Sequence, residues 1–533
     1  MKMNRKLNFW LTIVIILSLI IRLWISWLPI PLLVEKIMVD DTFYGFSVSK
    51  NIAYENGITY DGKDPSNGIQ PLWLFAIAPF FLLTGDINLA VNLILTFATI
   101  IDVLTLILIF KFAKMLFDDK IALVAAAFYG LNPLIIFQTL SGIDVILSVF
   151  FVMLTLFFYL RNKDNLNFKN NVMLGIFLGL AVLTRMDNIF LFAVIILHIL
   201  FKNKTKVVFK NIITIVLVAF LLALPWFLWS FLTFGTIFPS SGIARYNLNH
   251  GITPFFDYSS KSNLELTAEN LYRSLGIIYH QLGVVNFNFN SIAVLPPIFL
   301  TIVLIFSLKN VRKLNIIIAY GAFLYVFYGF YFLGVQIRYF TPFMPAFLIL
   351  LATGLYFLSN KIFKNKNMFY LISIIFLIIV LINGYQQWGD GYFKWQTPLY
   401  QDTIWLKENT KPNDIVASFN SGILSFFSER RVINLDGVVN YEVLSAIKNK
   451  SIINYMEKKN VSLWVDIAHF NQTVYDEVAN GSLKIDVLRD SYYGNILGDG
   501  KEDLVLIYQS YGFYKHLRGF NMLSVFFKFK IKY

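Results

Sequence analysis

A succession of long apolar runs is the feature that most constrains how this chain of 533 residues folds. A membrane-spanning helix needs roughly 20 apolar residues. Eleven runs are candidates, of which 172–184 and 188–201 are short: 8–30, 87–110, 121–140, 145–160, 172–184, 188–201, 211–233, 291–308, 314–334, 342–358 and 368–385. Only 14% of the residues are charged, whereas a soluble domain is closer to a quarter charged. The sequence therefore predicts a polytopic α-helical membrane protein with about eleven transmembrane helices.

Lysine and arginine are concentrated in short segments between the apolar runs: 1–7, 111–120, 161–170, 202–210, 309–313 and 361–367. Such loops stay on the cytoplasmic side of a membrane. We therefore expect a cytoplasmic N-terminus, a retained N-terminal anchor helix in the cytoplasmic membrane, and external loops 31–86 and 234–290. The same loops account for the formal net charge of +13, so no nucleic-acid partner is predicted.

A change of composition near Asn383 divides the chain into a transmembrane module, 1–387, and an extracytoplasmic domain, 388–533. Short strand and helix patterns alternate from 403 to 466, which predicts a small α/β domain. Its last part, 485–533, is left unassigned, and the Phe526–Lys530 tail is expected at the lipid surface. The apolar stretch Pro71–Leu83 is too short for a crossing and predicts a helix at the membrane interface.

Two adjacent carboxylates, Asp40 and Asp41, follow the first apolar run. Acidic residues at the depth of the membrane boundary are costly to remove from water and often mark a functional site. Because adjacent carboxylates repel, either one holds a proton or both face a cation. One of them is suited to accept a proton from an attacking hydroxyl. The structural alternative is a helix cap, a position that aspartate favours.

Three further charged positions fall on the predicted external side. Asp144 is either the cap of the next helix or part of a site. Arg185 either pairs with Asp187 or binds a phosphate, because an unpaired arginine at that depth is expensive. Arg338 has a forked guanidinium group that is suited to donate hydrogen bonds to a phosphate. The alternative is that its side chain only extends to the membrane interface, where the charge reaches water. Together these residues predict a site for an anionic, lipid-borne substrate.

Several kinds of site are missing from the sequence. There is no cysteine, which excludes thiol nucleophiles and cysteine-ligated zinc. Nucleotide-binding loops and a His-Glu-x-x-His motif are also missing, and the five histidines are scattered. A nucleotide-sugar donor is therefore not predicted, and a transferase facing outward would need a donor already in the membrane.

Nine segments, in this order, resemble motifs of one enzyme class: 40–44, 49–53, 56–62, 66–73, 141–144, 183–187, 234–245, 338–339 and 431–437. The class is that of the GT-C integral-membrane glycosyltransferases, including protein O-mannosyltransferases, lipid A aminoarabinose transferases and mycobacterial arabinofuranosyltransferases. The Trp-Trp-Asp-Tyr-Gly signature of oligosaccharyltransferases is missing, which argues against N-glycan transfer. Asp144 stands where the class usually has glutamate, and Arg245 where it usually has lysine.

The resemblance implies a GT-C fold, a polyprenyl-phosphate-sugar donor and a role for each matching residue. Asp41 would be the general base, with Asp40 and Asp144 as further catalytic candidates. Arg338 would bind the donor phosphate, with Arg185 and Arg245 as secondary candidates. Four more residues would line the site: Tyr44, Lys50, Gln70 and Tyr339. No cofactor or metal ligand is assigned, although Asp40 and Asp41 leave a divalent cation such as Mg²⁺ or Mn²⁺ open.

The predicted function is glycosylation in the cell envelope, with a glycan, lipid or protein acceptor on the extracytoplasmic face. Two alternatives use the same residues. A transporter or flippase of a lipid-linked or acidic solute would use the charges as a pathway. A non-catalytic membrane assembly protein would use the external domain to recruit partners. The sequence is silent on the sugar and on the acceptor.

Overall fold

The computed structural model describes residues 5–202, 206–249, 263–282, 301, 303–331, 336–363, 366–391, 393–470, 504–515 and 521–529. Thirteen helices precede residue 282: α1 Arg5–Ser26, α2 Ile30–Lys36, α3 Asp40–Ala53, α4 Pro71–Leu83, α5 Ile87–Leu116, α6 Asp119–Gly130, α7 Pro133–Thr139, α8 Val145–Asn162, α9 Phe168–Thr184, α10 Ile189–Lys202, α11 Lys206–Phe234, α12 Ser240–Asn249 and α13 Asn263–Gln281. Later long helices are Asn315–Tyr331, Met344–Phe363 and Lys366–Asp390.

Membrane-spanning length is reached by seven helices of the described ranges, or by eight if α6 and α7 form one broken span. The predicted span 291–308 lies mostly outside those ranges, so the count of eleven stays a prediction. Burial separates inner from outer helices. In the window Thr341–Phe363, 83% of the residues are buried, against 17% in Val208–Phe234. The former is therefore the central helix of the bundle, and the latter presents its apolar side chains to lipid.

The candidate span 121–140 is a bent pair of helices and not one straight helix. Helix α6 ends at Gly130 and α7 begins at Pro133, and their axes are bent by 63°. Proline suits the first position of a helix but cannot continue the hydrogen bonds of the preceding one. The Asn132 side chain caps α7 by accepting the amide N–H of Leu134 at 2.9 Å. Hydropathy does not distinguish a bent pair from a straight helix, because both halves are apolar.

The C-terminal region contains a five-stranded sheet with strand order β2-β1-β3-β5-β4. Its strands are β1 Ile415–Ser418, β2 Arg431–Asn434, β3 Leu463–Phe470, β4 Leu504–Lys515 and β5 Asn521–Phe529. β1 is parallel to β2 and β3, whereas β5 runs antiparallel to β3 and β4. Four short helices accompany the sheet: Thr397–Asn409, Gly422–Phe427, Val443–Lys448 and Ile452–Lys458. The predicted α/β character is thereby confirmed.

The Phe526–Lys530 segment, predicted as a tail at the lipid surface, is not a free tail in its described residues, and its contact with lipid stays a prediction. They belong to β5, whose backbone is hydrogen-bonded on both sides, to β3 and to β4. The segment 485–533, left unassigned from the sequence, therefore contributes both antiparallel strands of the sheet. β5 pairs with β4, which directly precedes it, and with the more remote β3.

The C-terminal sheet domain packs directly on the segment 31–86. Gln396 donates from Nε2 to the carbonyl oxygens of Val34 and Met38 at 2.9 and 2.7 Å, and its Oε1 accepts the Asp40 amide at 2.6 Å. On the far side, Arg431 lies 2.6 Å from Asp61. Because these contacts hold the chain on either side of α3, this helix has a fixed place between the membrane helices and the sheet.

Candidate active site

A cavity of about 560 Å³ lies where the start of α3 meets the membrane helices and the C-terminal domain. Its charged lining residues are Asp41, Asp144, Asp187, Arg185, Arg245 and Arg338. Tyr44, Gln70 and Tyr339 also line it. Most of the residues singled out from the sequence therefore meet at one cavity, although they come from segments up to about 300 residues apart.

Asp41 lies in the first turn of α3 and is paired with Arg338. Arg338 donates from Nη2 to Asp41 Oδ2 at 2.6 Å. Burial alone would raise the pKa of Asp41, but the charges of Arg338 and Arg245 outweigh it and hold the pKa below the usual 3.8. The side chain stays partly exposed, at 29%. Asp41 is therefore an ionised carboxylate that a ligand in the cavity can reach.

Arg185 is surrounded by two carboxylates and a tyrosine. It lies 2.8 Å from Asp187 and 3.3 Å from Asp144, and Tyr328 donates its hydroxyl proton to Asp187. The guanidinium also lies over the ring of Tyr339, at 5.5 Å from its centre. The predicted Arg185–Asp187 ion pair thus exists, and it faces the cavity.

Asp144 makes no capping hydrogen bond to α8, so its interpretation as a helix cap is not supported. Its carboxylate faces Arg185 instead. Burial raises the pKa of Asp144 above its usual value, and the nearby charges of Arg185 and Arg338 limit the rise. The residue therefore belongs electrostatically to the cavity.

Arg245 differs from the other two arginines because it forms no hydrogen bond or ion pair within the part of the chain that the structure describes. It lines the cavity from α12. The start of that helix is fixed by Asn67, whose Oδ1 accepts the Ser240 amide at 3.0 Å, and by Val438, whose carbonyl accepts the Ser240 hydroxyl at 2.8 Å. A cation near Asp41 is thus held in place by its helix and left available to an anionic ligand.

Asp40 does not line the cavity, although it is adjacent to Asp41. Its carboxylate accepts the amides of Gly422 and Ile423 at 3.1 and 2.8 Å. Burial raises the pKa of Asp40 to about 7, and these two amide donors oppose the rise. A side chain at position 422 would begin 2.2 Å from the Asp40 carbonyl oxygen, so only glycine fits there. Asp40 therefore attaches the C-terminal domain to the start of α3.

A cation shared by Asp40 and Asp41 does not fit this arrangement, because the two carboxylates have separate partners. Asp41 faces Arg338, whereas both oxygens of Asp40 accept backbone amides. Within the described ranges, no group of three or more His, Cys, Asp or Glu residues could hold a metal ion.

Lys50 is not among the described residues that line the cavity. Its ammonium group lies 5.2 Å from the centre of the Phe426 ring, at the contact with the C-terminal domain. Tyr44 does line the cavity, and its hydroxyl donates to Asp436 Oδ2 and to the Phe419 carbonyl oxygen, both at 3.2 Å. Burial raises the pKa of Asp436 to about 7.

Comparison with known proteins gives two matches along the sequence. Residues 65–229 match the family model described as dolichyl-phosphate-mannose-protein mannosyltransferase, and residues 392–515 match a domain of unknown function. Among curated proteins, none matches this sequence.

Solved membrane enzymes share the architecture of the whole chain. ArnT from Cupriavidus metallidurans bound to undecaprenyl phosphate aligns with a TM-score of 0.58 and 11% identity, over 96% of this chain and 97% of its own. The Archaeoglobus fulgidus oligosaccharyltransferase tethered with an acceptor peptide aligns with a TM-score of 0.54 and 13% identity, over 86% of this chain and 69% of its own. This chain has the GT-C fold. The resemblance and fold class predicted from the motifs are thus confirmed, and the chain is an integral membrane protein.

Both parts of this GT-C chain, the membrane module and the C-terminal domain, also bring residues to the cavity that were not predicted as site residues from the sequence. Trp73 and Val438 line it, and Asp436 holds Tyr44. Trp73 lies one helical turn after Gln70, on the same side of α4, and this spacing could have identified it. Val438 could not have been found this way, because a valine in a distant domain carries no chemical signal.

Proposed function

We propose that this protein transfers a monosaccharide from a polyprenyl-phosphate-linked donor to a hydroxyl of a glycan, lipid or protein acceptor. The observation that carries the proposal is the set of charges around one cavity. An ionised carboxylate, Asp41, lies beside Arg338, and Arg245, which has no partner among the described residues, is close enough to lower the pKa of Asp41. A base and a phosphate-binding cation are the two groups that such a transfer needs.

In the proposed reaction, the acceptor oxygen attacks the anomeric carbon of the donor sugar. A new carbon–oxygen bond to the acceptor forms, the bond from that carbon to the phosphate oxygen breaks, and the acceptor proton passes to Asp41. The departing lipid phosphate keeps the electron pair, and its charge is stabilised by Arg338 and Arg245. Phosphate is a good leaving group, so orientation and charge stabilisation supply most of the rate.

Arg338 has a second effect in this scheme. In the structure its guanidinium pairs with Asp41 at 2.6 Å. A donor phosphate competes for the same guanidinium, and its own negative charge lies near the carboxylate. Both changes raise the proton affinity of Asp41 when donor is present. The carboxylate thus becomes a better base once the cavity is loaded.

The wall formed by α4 offers uncharged hydrogen-bonding groups to a sugar ring. The buried indole nitrogen of Trp73 has no hydrogen-bond partner among the described residues, and Gln70 lines the cavity one turn earlier. Gly45, on the facing helix α3, packs against this indole; a Cβ there would lie 3.8 Å from Trp73 Nε1. These groups suit the hydroxyls of the transferred sugar.

Two solved neighbours support a lipid-phosphate donor. ArnT was solved with undecaprenyl phosphate, and AglB from Archaeoglobus fulgidus with an inhibitory peptide and a dolichol-phosphate. In this chain the cavity also has apolar lining from Ile189, Phe190 and Phe327, and Ile189 is 48% exposed on the lipid-facing surface. This side is suited to the polyprenyl chain. The loop charges support a cytoplasmic N-terminus, with the cavity and the C-terminal domain outside.

The test is transfer by the purified full-length protein, with polyprenyl-phosphate mannose as the donor probe and an extract of envelope glycans, lipids and proteins as acceptors. Asp41→Asn should reduce transfer by about 100- to 10,000-fold, the range that loss of a general base costs. Glu55→Gln, an exposed carboxylate outside the cavity, is the matched control. Wild-type turnover by the Asn variant would refute the base assignment. Movement of the lipid-linked sugar across liposomes without transfer would favour the flippase alternative instead.

A further inference from the structure

A buried ion pair in the membrane module plays no part in the proposed chemistry. Arg22 of α1 and Asp102 of α5 are both fully buried, and Arg22 Nε lies 2.6 Å from Asp102 Oδ2. Charged residues inside a membrane bundle are expensive and rarely lack a role. This pair could not be predicted from the sequence, because each residue is a lone charge in an otherwise apolar run, 80 positions from its partner.

The pair contacts both helices of the bent span, at their C-terminal ends. Arg22 donates from Nη1 to the carbonyl oxygen of Gly130, the last residue of α6, at 2.6 Å. Thr139, the last residue of α7, donates its hydroxyl to Asp102 Oδ2 at 2.8 Å. Tyr129 donates to the other carboxylate oxygen at 2.5 Å. One ion pair therefore contacts both helices and holds the 63° bend between α6 and α7.

The segment that follows Thr139 enters the candidate site directly. The Ser141 carbonyl oxygen accepts the Thr42 hydroxyl at 2.6 Å, beside Asp41. Gly142 has a φ of +82° and packs on Thr42 so closely that a side chain would begin 2.5 Å from its methyl carbon. Two residues later the segment supplies Asp144, which faces Arg185.

A second link runs from the bend to Arg338. Asn132, between the two helices, donates to the carbonyl oxygen of Gln281 at 3.0 Å. The Gln281 side chain donates in turn to the carbonyl oxygen of Ile337 and to the hydroxyl of Thr341, both at 2.8 Å. Arg338 follows Ile337 directly, so the same bend contacts the turns that carry Asp144 and Arg338.

We infer that Arg22, Asp102 and Thr139 are positioning residues of the site: they fix the bend that holds the 140–144 segment and the Ile337–Tyr339 turn against Asp41. The ion pair acts through the backbone and touches no substrate. Its effect on ligand binding rests on the proposed function, whereas its effect on the 140–144 segment does not.

Two substitutions separate positioning from simple stability. Thr139→Val removes the hydroxyl that joins the site segment to Asp102 and leaves the ion pair intact. The double variant Arg22→Met/Asp102→Leu removes both charges, and replacing a buried pair with apolar residues is often neutral for stability. Thr105→Val is the matched control, because Thr105 is buried in α5 and its hydroxyl bonds only within that helix, to Ile101.

The experiment compares melting temperature, amide hydrogen exchange over 139–144 and affinity for undecaprenyl phosphate in the full-length protein. Both test variants should melt within a few degrees of wild type. Their exchange should rise, and their affinity should fall roughly 5-fold or more, about the effect of one net hydrogen bond. The Thr105 control should change none of the three.

Unchanged exchange in Thr139→Val and in the double variant overturns the inference, whatever the ligand result. Wild-type affinity despite raised exchange overturns it as well. If the wild-type protein binds no undecaprenyl phosphate, the donor proposal fails, and the exchange measurement alone decides whether the pair holds the segment.

Discussion

Arg338 and Asp41 lie 297 positions apart in the sequence, and their side chains meet at 2.6 Å. The contact joins α3 to the turn before the central helix, at the wall of the cavity. It leaves the carboxylate ionised and the guanidinium within reach of an anionic ligand. In the proposed reaction each partner acts on a different product: Asp41 on the acceptor proton, Arg338 on the departing phosphate.

Replacing Arg338 with alanine should weaken binding of the lipid-phosphate donor and change the pH profile. Without this cation, the pKa of Asp41 rises from its depressed value, because its largest stabilising partner is lost. A base must be deprotonated, so the acidic limb of kcat/KM should move to higher pH. Initial rates between pH 4 and 8 check this. Arg245→Ala should give a smaller shift in the same direction; an unshifted limb in Arg338→Ala would contradict the pairing.

Replacing Asp436 with asparagine should flatten the pH dependence of stability. In the folded protein, burial raises the pKa of Asp436 from 3.8 to about 7. Between these values the folded state binds more protons than the unfolded one, so this group lowers the free energy of unfolding as pH rises, by about 1.4 kcal/mol per pH unit. Above pH 7 its contribution is constant. Melting curves at pH 5, 6 and 7 should show that the stability of Asp436→Asn rises relative to wild type as the pH increases. Glu408→Gln, on an exposed helix face, should show no such change.

Replacing Gly142 with alanine should reduce turnover at least about 10-fold. The backbone there is left-handed, with φ of +82°, and the new methyl group would lie 2.5 Å from Thr42. The conformation alone costs about 1 to 2 kcal/mol for a residue with a side chain, and relieving the overlap moves Asp144 or Asp41. Gly85→Ala is the control, since a side chain at that position meets nothing within 4 Å. Full activity of Gly142→Ala would mean that the segment is not in close contact during the reaction.

Replacing Trp73 with phenylalanine should raise KM for the lipid-linked sugar roughly 3- to 10-fold, the range expected for one lost hydrogen bond. Affinity for bare undecaprenyl phosphate should not change, because the indole is assigned to the sugar and not to the phosphate. Trp24→Phe, which alters an exposed tryptophan of α1, controls for general effects. An equal loss of affinity for both ligands would show that Trp73 acts on the shape of the cavity as a whole.

The membrane character of the chain followed from local sequence, because a helix in lipid must be apolar over its whole length. The strands and helices between 403 and 466 were also predicted from local sequence, because their patterns are short and regular. Asp41, Arg185 and Arg338 also stood out from sequence alone, as charges at predicted membrane depth. The order of their motifs was enough to predict the GT-C fold.

Only the tertiary structure decided how these charges are paired. It separated Asp40 from Asp41, left Arg245 without a partner among the described residues, and joined Arg22 to Asp102 across two helices. It also bent the predicted span over 121–140 and placed Val438 of a remote domain at the cavity. The physical reason is the same in each case. Hydropathy and helix-forming tendency act between near neighbours in the chain, whereas an ion pair or a close backbone contact depends on where remote segments pack.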